Sequence, residues 1–201
     1  MNYKALFFDF DGTIVDTHNS NLLAYSRAIE EVLPTSQYNR ELLYSEIKHG
    51  KNYRTFLPAI LPQISKEEIE KISLCKSYWY KQYADKSEVN ESLLSFILEV
   101  KKNYQIPIVL VTTAKEVNAR EIIKFHQLES IFDQLIFGDN IARLKPFPDI
   151  YLFALAKLEV KATEVKAYED SISGIKAAES AGILVERVKW DYQVEKLVNI
   201  T

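Results

Sequence analysis

Apolar residues in this chain follow two different rhythms. From about residue 104 onward, short apolar runs alternate with stretches in which apolar residues recur every three or four positions. Residues 106–111 read as a strand, followed by a helical pattern through Ala119, Ile122, Ile123 and Phe125. Residues 134–137, 165–168 and 183–188 read as further strands, with helices over about 149–158 and 171–181 between them. One more strand stands at the N-terminus, over residues 5–10. It is rich in Phe, broken only by Asp9 and closed by Asp11-Gly12, the pattern of a strand buried on both faces.

Residues 18–86 follow the second rhythm, with helical spacing at Leu22, Leu23, Tyr25, Ala28, Ile29 and Val32 and no strand-like run. Pro34, Pro58 and Pro62 divide this stretch into four helices, and residues 85–90 form a polar return. The alternation predicts an α/β fold with a Rossmann-like open, mostly parallel sheet. A helical cap (residues 16–87) interrupts a core made of residues 1–15 and 88–201. Ligands of such sheets bind beyond the carboxyl ends of the strands, so an insertion just after the first strand is expected to act as a lid.

Composition narrows the function classes. A chain of 201 residues with 47% hydrophobic content can bury its own core. With 25 basic and 28 acidic residues, a net charge of -3 and no block of like charge, it carries no electrostatic footprint for nucleic acid. The single cysteine, Cys75, allows no intrachain disulfide and fits the cytoplasm. The N-terminal apolar run is too short for a signal peptide, and no stretch approaches the roughly 20 apolar residues of a membrane span. A soluble protein is expected, with a monomer as the default because no region reads as a long exposed apolar patch.

Four strand ends carry candidate chemistry. Asp9-Phe10-Asp11-Gly12-Thr13 sets two carboxylates two residues apart at the end of a buried strand, where charge is costly without a task or a partner. Thr112 and Thr113 occupy the same place after the second strand. Their hydroxyls could hold a phosphoryl oxygen or simply cap the next helix. Lys145 precedes Pro146-Phe147-Pro148-Asp149, and the two prolines stiffen the backbone that presents its charge. Glu169-Asp170-Ser171 places a second acidic pair at a strand-to-helix turn. Capping explains one of these acids and not both. Two of only five glycines, Gly12 and Gly174, fall within these motifs.

With all four motifs in this order, the chain resembles the haloacid dehalogenase superfamily, in the helical-cap subgroup of phosphoglycolate phosphatases and β-phosphoglucomutases. The resemblance implies a phosphatase of small phosphorylated metabolites. In it Asp9 is the nucleophile that forms an aspartyl-phosphate, and Asp11 is the general acid and base. Thr112, Thr113 and Lys145 would hold the phosphoryl group. Mg²⁺ would sit on Asp9, the backbone carbonyl of Asp11, and Asp170, with Glu169 in or near its shell. A sugar-phosphate mutase would use the same core motifs. Such mutases carry a histidine where this chain has Asn21, with His18 out of register on the exposed side of its helix. Dehalogenation fits less well because Asp11, Glu169 and Asp170 are all present, and a binding protein that merely keeps the fold would show damaged motifs. In the cap, the loop His49-Gly50-Lys51-Asn52-Tyr53-Arg54 is the candidate specificity element, with Lys51 or Arg54 meeting a second anionic group. Phosphonate hydrolysis would need a Schiff-base lysine in the cap, and Lys51 is the available candidate, but its surroundings do not resemble that family's. The aromatic group Tyr78, Trp79, Tyr80 and Tyr83 reads as cap packing.

Overall fold

The computed structural model describes residues 3–190. It divides into two compact units, one made of Met1–Asp16 with Val89–Thr201 and the other of Thr17–Glu88.

The first unit is built on five parallel strands: β1 (Ala5–Phe8), β4 (Ile108–Val111), β5 (Gln134–Ile136), β6 (Val165–Glu169) and β7 (Leu184–Arg187), in the order β5-β4-β1-β6-β7. Two short segments, β2 (Val15–Asp16) and β3 (Glu88–Val89), form a separate two-stranded ladder. Among the described residues, the unit's α-helices are α5 (Glu91–Tyr104), α6 (Glu116–Phe125), α7 (Asp149–Leu158) and α8 (Ile172–Ser180). Successive residues of β1 face opposite ways. Ala5 and Phe7 join a cluster with Val109, Ile150, Tyr151 and Ala177, while Phe8 stacks on Tyr168 at 4.6 Å and Tyr168 meets Phe96 of α5. Both faces are covered, which is why β1 and β4 are uninterrupted apolar runs.

Except for β6, which runs one residue further to Glu169, the strands are shorter than the runs that predict them. β1 stops at Phe8 because the chain turns through Asp9 to Gly12, although Phe10 stays buried. β4 begins only at Ile108, since Pro107 has no N–H for the ladder and Gln105 ends α5 in the left-handed region. The sequence reading assigned nothing to α5. That helix is capped by Asn90, whose side chain accepts from the Leu93 amide, and it buries Leu93, Phe96, Ile97 and Val100 at helical spacing.

From β1 the chain builds outward through β4 to β5, then crosses back to β6 and β7 on the other side. The order therefore reverses beside β1, the place where open α/β sheets leave a crevice beyond their strand ends. Asp9, Thr112 and Glu169 lie at the ends of the three strands that meet there.

The second unit consists of α1 (His18–Val32), α2 (Arg40–Lys48), α3 (Tyr53–Ile60) and α4 (Lys66–Gln82). Their shared core includes Ala28, Ile29, Leu43, Phe56, Leu57 and Ile72. Pro34 and Pro62 lie between helices as expected, but Pro58 sits inside α3 and divides nothing. The α2–α3 break falls instead at Gly50, which adopts a left-handed φ of 65°. Among the described residues, no helix is long and apolar enough to cross a membrane.

Phe7 is wholly buried at the centre of the sheet, so Phe7→Ala is expected to lower the unfolding free energy by about 3–5 kcal/mol, read as a shifted urea midpoint.

Candidate active site

Burying Asp9 at the end of a central strand requires a counter-charge, and Lys145 provides it. The Lys145 ammonium lies 2.5 Å from Asp9 Oδ1, 2.7 Å from Glu169 Oε1 and 2.9 Å from the carbonyl oxygen of Val111. These three acceptors engage all three ammonium protons. Burial alone would make the charged lysine less favourable, but Asp9 and Glu169 more than offset this and raise its pKa. Lys145 therefore stays protonated, and any contact with a phosphoryl oxygen exchanges one of its present acceptors.

Thr13 links the first and last motifs. Its hydroxyl lies 3.0 Å from Asp170 Oδ1 and 3.4 Å from Asp9 Oδ2, so it can donate to either carboxylate. The turn closes because Gly12 adopts φ +86° and has no Cβ, which would otherwise overlap Asp170. A Cβ on Gly174, in the first turn of α8, would likewise overlap the Glu169 carboxylate. Ser171 caps α8 through the Gly174 amide, which accounts for the hydroxyl and leaves both acids of the pair to the site.

Asp9, Glu169 and Asp170 each present an oxygen within 4.8 Å of the others. Carboxylate oxygens crowded together in this way are hard donors, and they fit a divalent cation. Asp11 is half-buried, with the Thr112 hydroxyl 3.5 Å from its Oδ2. Thr112 is buried and also accepts from the Ala114 amide at 3.0 Å, as a turn-capping threonine does. Thr113 is half-buried in the same turn.

Two contributors were not singled out from the sequence. Tyr151, read only as part of a helix, buries its ring against Phe7 and donates its hydroxyl to Glu169 Oε1 at 2.5 Å. Asn90, in the polar return, donates its amide N–H to the Ile14 carbonyl at 2.8 Å, and its side chain donates to the Thr13 carbonyl at 3.3 Å. The return segment is thereby tied to the turn that carries the first motif.

The cap residues fare differently. Lys51 pairs with Glu46 at 2.7 Å, and Arg54 makes a two-pronged pair with Glu70 at 2.8 and 3.0 Å, all within the helical unit. Both cations are exposed and keep N–H donors that these partners do not use. Asn21 turns its side chain back onto Thr17, donating to its carbonyl and hydroxyl oxygens at 3.1 Å each. His18 is half-buried rather than exposed, edge-on to Tyr44. Of the aromatic group, Tyr80 is buried while Tyr78 is exposed. Trp79 stacks on Tyr83 and donates to Glu31 at 2.8 Å.

A family model described as haloacid dehalogenase-like hydrolase matches residues 6–188. The chain is 32% identical to a phosphorylated carbohydrates phosphatase of Thermotoga maritima, over 90% of this chain and 82% of that one. It is 29% identical to the beta-phosphoglucomutase of Bacillus subtilis, over 90% and 80% respectively. Its fold superposes on CbbY of Rhodobacter sphaeroides, solved with xylulose-(1,5)bisphosphate, with a TM-score of 0.78 at 24% identity, covering 96% of this chain and 91% of that one.

Burial and the neighbouring Asp9 raise the Glu169 pKa from 4.5 to about 8, against the pull of Lys145 and Tyr151. Between those values the folded, metal-free protein keeps a proton that the unfolded chain releases, so its stability falls as pH rises across that interval. A divalent cation competes with that proton, so its stabilising effect grows over the same range. Melting curves with EDTA and with excess divalent cation, at about pH 6 and about pH 8, are expected to show the larger metal-induced rise in Tm at the higher pH. A rise that is equal or smaller there would remove Glu169 from the metal site.

Proposed function

The chain belongs to the haloacid dehalogenase-like hydrolase family, and on that premise we propose that it is a Mg²⁺-dependent phosphatase of small phosphorylated metabolites, acting through an aspartyl-phosphate on Asp9. The observation that carries this reading is the cluster of Asp9, Glu169 and Asp170 around the buried Lys145 at the ends of β1 and β6. The phosphatase named for phosphorylated carbohydrates supports a sugar phosphate or similar monoester as substrate.

Asp9 attacks phosphorus, and the bond to the leaving oxygen breaks as Asp11 donates its proton. Asp11 then takes a proton from water, which attacks the aspartyl-phosphate and releases inorganic phosphate. Lys145, already against Asp9, offsets the repulsion between the carboxylate and the phosphate dianion. Thr112 and Thr113 line the turn at the end of β4 and hold phosphoryl oxygens, together with Lys145. Asp9, Asp170 and the Asp11 carbonyl, with Glu169 in or near the shell, would hold Mg²⁺, which would supply further positive charge against the phosphoryl oxygens. General acid–base catalysis contributes about 10²–10⁴-fold, whereas monoester hydrolysis may require up to about 10²¹-fold. Charge stabilisation and positioning must therefore supply most of the acceleration.

A mutase is the second reading, favoured by the beta-phosphoglucomutase relative. Asn21, whose amide is occupied by Thr17, offers no titrating group where such mutases carry histidine, and this supports hydrolysis.

Phosphorus NMR with Mg²⁺ and a panel of phosphate monoesters that includes β-glucose 1-phosphate is expected to show inorganic phosphate accumulating. EDTA should abolish the release, and Asp9→Asn should lower it by more than about 10³-fold. A new ester without free phosphate would establish the mutase instead.

A further inference from the structure

Glu169 is the most deeply buried acid of the cluster, and two donors converge on its Oε1. The Lys145 ammonium approaches at 2.7 Å and the Tyr151 hydroxyl at 2.5 Å. The other oxygen, Oε2, faces the first turn of α8, 3.5 Å from the Ser171 hydroxyl. Tyr151 is wholly buried on α7, and its ring is fixed from two sides. One face stacks on Phe7, with centroids 6.5 Å apart, and the Lys145 ammonium lies 5.2 Å from the ring centre. The phenol is therefore a rigid donor aimed at one carboxylate oxygen.

We propose that Tyr151 is a positioning residue of the active site: its hydroxyl fixes the rotation of the Glu169 carboxylate and, through the shared Oε1, the place of the Lys145 ammonium against Asp9. The inference rests on the reading of this cluster as a metal-dependent phosphatase site.

Tyr151 acts through its partners Glu169 and Lys145 rather than on the reacting atoms themselves. Without the hydroxyl, the carboxylate can rotate about its terminal bond and Lys145 loses the second anchor of its acceptor. Partners of this kind, which orient the ligands of a metal, typically alter affinity or activity by about 10–100-fold. Burial and the charges of Glu169 and Asp9 push the Tyr151 pKa well above its usual value, so the group remains a donor at any working pH.

Tyr151→Phe keeps the ring that fills the core and deletes only the hydroxyl. Calorimetric titration of Mg²⁺ into the metal-free protein is expected to show a Kd raised by about 10-fold or more, with kcat lowered and the substrate KM near wild type. In a Glu169→Gln background the same substitution should add almost nothing, because its effect passes through that carboxylate. A wild-type Mg²⁺ Kd and kcat in Tyr151→Phe, even with a lower melting temperature, would reduce the hydroxyl to a packing role and overturn the proposal. So would an undiminished further loss in the Glu169→Gln background. Failure of the wild-type protein to bind Mg²⁺ would overturn the metal-dependent reading itself, and this proposal with it.

Discussion

Everything at this site follows from one electrostatic constraint: three carboxylates share a small volume, with the Lys145 ammonium against two of them. Each charge removed from water costs several kcal/mol even after the protein relaxes. Such a cluster survives only where its geometry is held and its remaining charge has a use. The Val111 carbonyl, the Tyr151 hydroxyl and the Thr13 hydroxyl supply hydrogen bonds that a purely ionic contact would lack. Gly12 and Gly174 give up a side chain so that Asp170 and Glu169 can sit where they do.

The sheet makes this crowding possible. Parallel strands deliver their carboxyl ends to one side, and the reversal of strand order beside β1 opens space there. Asp9 ends the central strand, while Glu169 and Asp170 come from the end of its neighbour β6. Lys145 comes from the segment just before α7, the same helix that carries Tyr151. A substitution at Tyr151 in α7 therefore reaches Glu169 and Lys145 directly.

The fold was legible because burial on both sheet faces leaves uninterrupted apolar runs, and the strand-end acids stood out because buried charge is too costly to be incidental. α5 is less legible because it follows directly on the polar return, although the helical spacing of Leu93, Phe96, Ile97 and Val100 is present in the sequence. Tyr151 was not legible. An aromatic residue in an apolar helix reads as core, and only the fold brings its hydroxyl to Glu169, eighteen positions away. The partners of Lys51 and Arg54 are likewise visible only in the fold, which brings Glu46 and Glu70 against them.

The central claim is that Asp9 takes the phosphoryl group onto its own side chain. Rapid acid quenching of the protein during turnover, then borohydride reduction and peptide mass mapping, tests it directly. Reduction of an aspartyl-phosphate leaves homoserine, so homoserine at position 9 is expected, and none where substrate or Mg²⁺ is omitted. Steady release of phosphate with position 9 unmodified at every quench time, or with the modification on another residue, would contradict the account.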